Sequence, residues 1–177
     1  YTVHVSGKIR GLNSQKVDPS IVEVIQWGNT GLESMSWAFD GDYLLVKIPG
    51  DVSGAFSNVK SFDSAFKGCA FLESVPEDLF VSAAAALTFG GIFNKCVSLK
   101  TIPAGLFRNC VKTRDMNNSF SGSGIEAIPE DLLSHCTELE NVGTMFAGCE
   151  SLKNVPQKLF WNNPAINDVT GLFERCG

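Results

Sequence analysis

Internal repetition with a period of 26 to 27 residues constrains this chain more than any single motif, because so short a unit cannot bury its own apolar face. An aliphatic residue followed by proline recurs at Ile48-Pro49, Val75-Pro76, Ile102-Pro103, Ile128-Pro129 and Val155-Pro156, with proline spacings of 27, 27, 26 and 27. Seven residues before most of these prolines stands Asp42, Cys69, Cys96 or Cys149, and Ser123 fills that place in the fourth, shorter unit. Three residues earlier the residue is always Phe: Phe39, Phe66, Phe93, Phe120, Phe146 and Phe173. Apolar or near-apolar residues occupy the places seven and four before each Phe: Leu32 and Met35, Val59 and Phe62, Ala86 and Phe89, Thr113 and Met116, Leu139 and Val142, and Ile166 and Val169. Downstream the unit reads Leu-x-x-Ile-Pro-x-x-Leu-Phe-x-x-Cys, clearest from Leu99 to Cys110.

Units of this kind are expected to stack around a shared core, which predicts an α/β solenoid with short parallel strands and short helices. The Leu-x-x-Ile segment is short, apolar and stopped by proline, so it reads as a brief strand pairing with its neighbours one unit away. Proline then opens a short helix, and Glu77-Asp78 and Glu130-Asp131 fall in the first turn, where carboxylates suit the helix dipole. Residues 1–27 read as a small N-terminal β cap and 28–177 as the repeat domain of about five to six units. The array stops at Cys176-Gly177, where the next Leu-x-x-Ile would begin, so its C-terminal end is expected to be cut short or unprotected.

Composition narrows the function classes. The net charge of −5, from 14 Lys and Arg against 19 Asp and Glu, offers little to a phosphate backbone and argues against nucleic acid. No uninterrupted apolar run is long enough to span a bilayer, so no transmembrane segment is expected, and Tyr1 opens the chain without an export signal. Thirteen Phe against two Tyr is the aromatic choice of a repeated core position.

The segments Cys96-Val-Ser-Leu-Lys-Thr-Ile-Pro and Cys149-Glu-Ser-Leu-Lys-Asn-Val-Pro, with the returning Phe-x-x-Cys, resemble the BspA-like leucine-rich repeats of bacterial surface proteins over roughly residues 28 to 177. The chain departs from that pattern in its 27-residue unit and in the proline directly after the aliphatic residue. The resemblance implies a leucine-rich-repeat solenoid that is secreted or held at the cell surface. It implies adhesion, or binding of a host or bacterial surface protein or a glycan, commonly without enzymatic activity. A structural spacer in a longer surface array is the second function it leaves open.

Candidate chemistry is sparse. The six cysteines form two columns, Cys69, Cys96, Cys149 and Cys176 in one and Cys110 and Cys136 in the other. They read as stacked buried thiols, as bridges between adjacent units (Cys69 with Cys96, Cys110 with Cys136, Cys149 with Cys176), or as metal ligands. Neither His4 nor His135 has a convincing catalytic setting, Ser134-His135-Cys136 is a cluster only in sequence, and no catalytic residue, cofactor or metal is expected. Gly122-Ser-Gly124 reads as a tight turn absorbing the one-residue deletion. Glu73, Lys100, Glu126 and Lys153 alternate in sign along one column and are expected to form a charge ladder. Reversing Lys100 is accordingly expected to cost more stability than reversing the scattered Lys16. The candidate partner contacts are the aromatics Trp161, Tyr43 and Trp37, with Trp27 closing the cap.

Overall fold

A computed structural model describes residues 21–28 and 31–177. Tyr1 to Ile9, His4 and Lys16 lie outside the described residues, and with them most of the segment read as a β cap.

Six stretches, 34–42, 61–69, 88–96, 115–123, 141–149 and 168–176, lie one above the next as rungs. Parallel bridges run from Ser34 to Ser61, Thr88, Asp115, Asn141 and Asp168 in turn. Within a rung the amides divide their work. In the third rung, Phe89, Gly91, Phe93 and Lys95 donate forward to the carbonyls of Asp115, Asn117, Ser119 and Ser121, at 2.7 to 2.9 Å. The amides between them close turns within the rung: Ile92 donates to Phe89, Asn94 to Gly91 and Cys96 to Phe93. The same four forward bonds leave Met35, Trp37, Phe39 and Gly41, and again Val142, Thr144, Phe146 and Gly148.

Two residues per rung carry a positive φ, four apart: Trp37 and Gly41, Ser64 and Gly68, Gly91 and Lys95, Asn118 and Gly122, Thr144 and Gly148, Gly171 and Arg175. Each is the third residue of a turn closed three residues on, the place where a type II turn requires a left-handed residue. A helix cannot pass through such a sequence of conformations.

The expected α/β leucine-rich solenoid is therefore corrected. No described residue is helical, no extended strand forms, and pairing is confined to isolated bridges. The segments after Pro76, Pro103, Pro129 and Pro156 make bonds from residue i+3 to residue i, as from Leu79 to Pro76, and they remain turns. The ladder also lies elsewhere than expected. It runs through the polar residue before the Met35, Phe62, Phe89 column, while the Leu-x-x-Ile segments contribute only two isolated bridges, Glu23 to Lys47 and Thr101 to Ala127. A helix would spend every amide inside its own segment, leaving none to cross to the next rung.

Side chains fill the stack in columns. The rings of Phe39, Phe66, Phe93, Phe120, Phe146 and Phe173 follow one another at 5.5 to 5.7 Å, near parallel. Phe62 stacks on Phe89 at 4.9 Å and Phe80 on Phe107 at 5.7 Å. Trp27 is buried at the first rung, 5.2 Å from Phe56, and its indole N–H donates to the Pro49 carbonyl at 2.8 Å. The buried Asp51 carboxylate accepts from the Ala55 and Phe56 amides and from the Ser82 hydroxyl, tying two units together.

The deletion in the fourth unit is absorbed at Gly124. A Cβ there would meet the Val97 carbonyl oxygen at 2.2 Å, so only glycine permits the shortened path between Ser123 and Ile125.

Candidate functional site

The polar residue that opens each rung has a local task. Ser34, Ser61, Thr88, Asp115, Asn141 and Asp168 each accept, through the side chain, the amide two residues on, at 2.8 to 3.3 Å. These are Asx and Ser/Thr turns repeated in register. The Thr170 amide holds the exposed Asp168 carboxyl below its ordinary range.

Two residues beyond this column, the third rung leaves a hollow. In the third rung Gly90 and Gly91 stand where neighbours carry Asp63 and Ser64 on one side and Asn117 and Asn118 on the other. The gap opens a polar notch of about 380 Å³. A Cβ on Gly90 would come to 3.2 Å from Asp63 Oδ1 and 3.4 Å from Asn117 Oδ1. Asp63 Oδ1 accepts from the Gly90 amide at 2.9 Å and from the Thr88 hydroxyl. Asp115 accepts from the Asn117 amide at 2.8 Å and from its side-chain nitrogen at 3.2 Å. Asn94 and Lys67 complete the lining. The Lys67 ammonium also lies 5.2 Å from the ring centre of Trp37, which shares the left-handed column with Ser64, Gly91 and Asn118. Trp37 is 43% exposed, two rungs or roughly 10 Å from Gly91 at ordinary interstrand spacing. The wall thus combines carboxylates, amides, hydroxyls and one cation, with an indole at one end.

The three aromatics singled out from sequence do not converge. Trp37 lies beside the notch. Tyr43 is 46% exposed just past the first rung, where its carbonyl accepts the Phe71 amide at 3.1 Å. Trp161 is 78% exposed in the proline half of the last units, at least four rungs or roughly 19 Å along the stack from Trp37. The residues missed from sequence are Asp63, Thr88, Asp115 and Asn117. Thr88 and Asp115 belong to the polar column directly before the Met35, Phe62, Phe89 series, and the signal for Asp63 and Asn117 was the Gly90-Gly91 pair that falls between them in register.

All six cysteines are free thiols. Cys69, Cys96, Cys149 and Cys176 each donate S–H to the Phe carbonyl of the preceding rung, at 3.1 to 3.3 Å. Burial pushes Cys96 and Cys136 up to about 12, raises Cys69 further, and holds Cys110 well above its ordinary value. Ser134 Oγ does lie 2.9 Å from His135 Nδ1, contrary to the expectation that sequence neighbours point apart. The pair is exposed, and Cys136 is buried beneath it, so the three form no nucleophile and base set. Among the described residues, no cluster of three His, Cys, Asp or Glu side chains is placed to hold a metal. The expected charge ladder reduces to Lys153 and Glu126 at 3.8 Å, both exposed, and no described ion pair includes Lys100. No described helix is long and apolar enough to cross a membrane.

No protein-family model and no curated protein matches the chain. Among solved structures, the Drosophila Toll–Spatzle complex matches at 14% identity and a TM-score of 0.43, over 82% of this chain and 23% of that one. A leucine-rich repeat protein from Bacteroides ovatus matches at 18% identity and a TM-score of 0.23, over 84% of this chain and 59% of that one. A leucine rich cell surface protein from Faecalibacterium prausnitzii matches at 14% identity and a TM-score of 0.22, over 86% of this chain and 77% of that one. Likenesses this distant establish no family. With neither helices nor a sheet in the described residues, the resemblance to BspA-like leucine-rich surface proteins is not upheld. The adhesion function, which needed a solenoid's sheet face or edges, and the spacer function, which needed the leucine-rich solenoid itself, fall with it.

Proposed function

We propose that this chain is a non-catalytic recognition module whose notch at Gly90-Gly91 takes a hydroxyl-rich ligand, a glycan. The observation that carries this reading is the notch itself: a gap where two successive glycines, Gly90 and Gly91, face polar neighbours on both sides, walled by Asp63, Asp115, Asn117 and Asn94, with Lys67 at one end and Trp37 beyond it. Carboxylates and amides with spare acceptor and donor sites suit paired sugar hydroxyls, and an indole face suits the apolar side of a pyranose ring. Lys67 offsets one of the two carboxylates, Asp63 and Asp115, and the remaining negative charge disfavours an anionic sugar and leaves a neutral one. A meeting with such a ligand at the cell surface or outside the cell belongs to the same proposal.

Glycan-array binding with the intact chain tests it. Saturable binding to neutral saccharides is expected, lost when Gly90→Val fills the notch, weakened by Trp37→Ala, and kept by Trp161→Ala. Binding that depends on Trp161 and ignores Gly90 would remove the notch from the account, as would a folded chain that binds no saccharide.

A further inference from the structure

Along the side of the stack, the segments that follow the rungs carry large apolar groups on their outer face. Tyr43, Ala70, Val97 and Gly124 hold one place in four successive units, 27 residues apart. The segments lie side by side: the Phe71 amide donates to the Tyr43 carbonyl at 3.1 Å, the Ser98 amide to the Ala70 carbonyl at 3.2 Å and the Gly124 amide to the Cys96 carbonyl at 3.3 Å. Phe71 is 51% and Val97 59% exposed, with the exposed Tyr43 beside them. A few residues on, past the buried Leu72 and Leu99, come the exposed Glu73 and Lys100. Glu23 pairs with Lys47 at 2.8 Å before these two, and Glu126 with Lys153 at 3.8 Å after them. Among the described residues neither Glu73 nor Lys100 makes an ion pair, although they occupy the same place in adjacent units.

An apolar strip flanked by two unlike and unused charges is its own complement. A two-fold axis lying in this face, between the second and third units, exchanges those units between two copies. Glu73 then meets the second copy's Lys100, and Lys100 its Glu73. The same operation brings Phe71 to the segment of the second copy's Val97 and sets Tyr43 over its Gly124, where the missing side chain leaves room for the ring. A partner of uniform charge would answer one of the two groups and set like charge against the other. Glu73, Phe71, Val97 and Lys100 all belong to units with a neighbour on each side, so stacking does not cover this face and it opens only sideways. We propose that it joins two copies of the chain in an isologous dimer, with Phe71, Val97 and Tyr43 at the centre and reciprocal pairs of Glu73 with Lys100 beside them.

Sedimentation equilibrium of the intact chain, from micromolar to millimolar concentration, reads the mass directly. It is expected to rise with concentration from 19.1 kDa towards twice that value. Phe71→Asp is expected to hold the chain at 19.1 kDa throughout. Glu73→Lys alone, or Lys100→Glu alone, sets like charges together at both pairs and is expected to weaken association at least about tenfold. The two reversals combined rebuild both pairs in the opposite sense and are expected to recover most of that loss. Thermal melts show that each variant is folded, and the parent series stands without them. A chain that stays at 19.1 kDa at every concentration would overturn the proposal and leave the face to a different occupant. So would association that ignores Phe71→Asp, or a double reversal that recovers nothing.

Discussion

Within each unit the rung half and the proline half bury similar side chains but hold their neighbours by different means. Rungs are joined by four forward backbone bonds at each step, so their register is written into the main chain. Successive proline halves share few such bonds, one being Asp51 to Asp78, and are joined instead by side chains. Asn109 donates to the Val81 carbonyl at 2.6 Å, Arg108 meets Glu77 at 3.0 Å, and Phe80 stacks on Phe107. A backbone ladder tolerates changes of side chain, as Trp37, Ser64, Gly91, Asn118, Thr144 and Gly171 share one conformation. Side-chain stacking offers no such tolerance, but it leaves the backbone free to adjust around a defect.

That difference should appear first in core truncations. Phe93→Ala removes a ring held between Phe66 and Phe120 by a backbone that cannot close in, so its cost should fall near the upper end of the roughly 3–5 kcal/mol typical of such changes. Phe107→Ala, where the proline half can settle inward, should fall near the lower end of that roughly 3–5 kcal/mol range. Urea unfolding of the two variants decides it, and equal costs would break the contrast.

Gly124→Ala should cost about 2–3 kcal/mol, because its Cβ strikes a carbonyl rather than a side chain. Gly54→Ala, with open space around it and only a positive φ to satisfy, should cost about 1 kcal/mol in the same assay.

A smaller effect is expected in alkali. The buried thiols have folded-state values above the ordinary 9.0, so their contribution is complete below 9.0 and is lost as the pH climbs toward the 12 of Cys96 and Cys136. Melting temperature should therefore fall above pH 9.0, and less steeply in Cys96→Ser than in the parent when each is referred to its own neutral value. An identical slope would exclude Cys96 from the alkaline loss.

Smallest of all, Lys95→Gly relieves a left-handed side chain in the rung and should raise stability by up to about 1 kcal/mol. A loss would mean that the Lys95 stem contributes more by packing than its conformation costs.

Much of the core was legible in sequence, because Phe at a fixed period marks a position rather than a partner. The Phe39 to Phe173 series is the ring stack, and Gly124 sits where the count falls short. The secondary structure was misread for a physical reason. Proline followed by acidic residues is compatible with a helix start, but the same residues also fit a turn whose amides are needed elsewhere. The glycine at Gly41, Gly68, Gly122 and Gly148, a left-handed position recurring once per unit, marked the turns of the rungs and not the segments after proline, and the mark is obscured where Lys95 and Arg175 take the same conformation. The notch was harder to foresee. Asp63, Thr88 and Asp115 looked like ordinary surface residues, and only the gap at Gly90-Gly91 sets them apart.

Amide hydrogen exchange of the unmodified chain tests the alternating use of amides most directly. The account predicts slow exchange at Phe89, Gly91, Phe93 and Lys95 and at Met116, Asn118, Phe120 and Gly122, with fast exchange at Val169, Gly171, Phe173 and Arg175, and a far-ultraviolet spectrum without helical minima. Unbroken protection through the residues after Pro76, Pro103 and Pro129 together with a helical spectrum would contradict it.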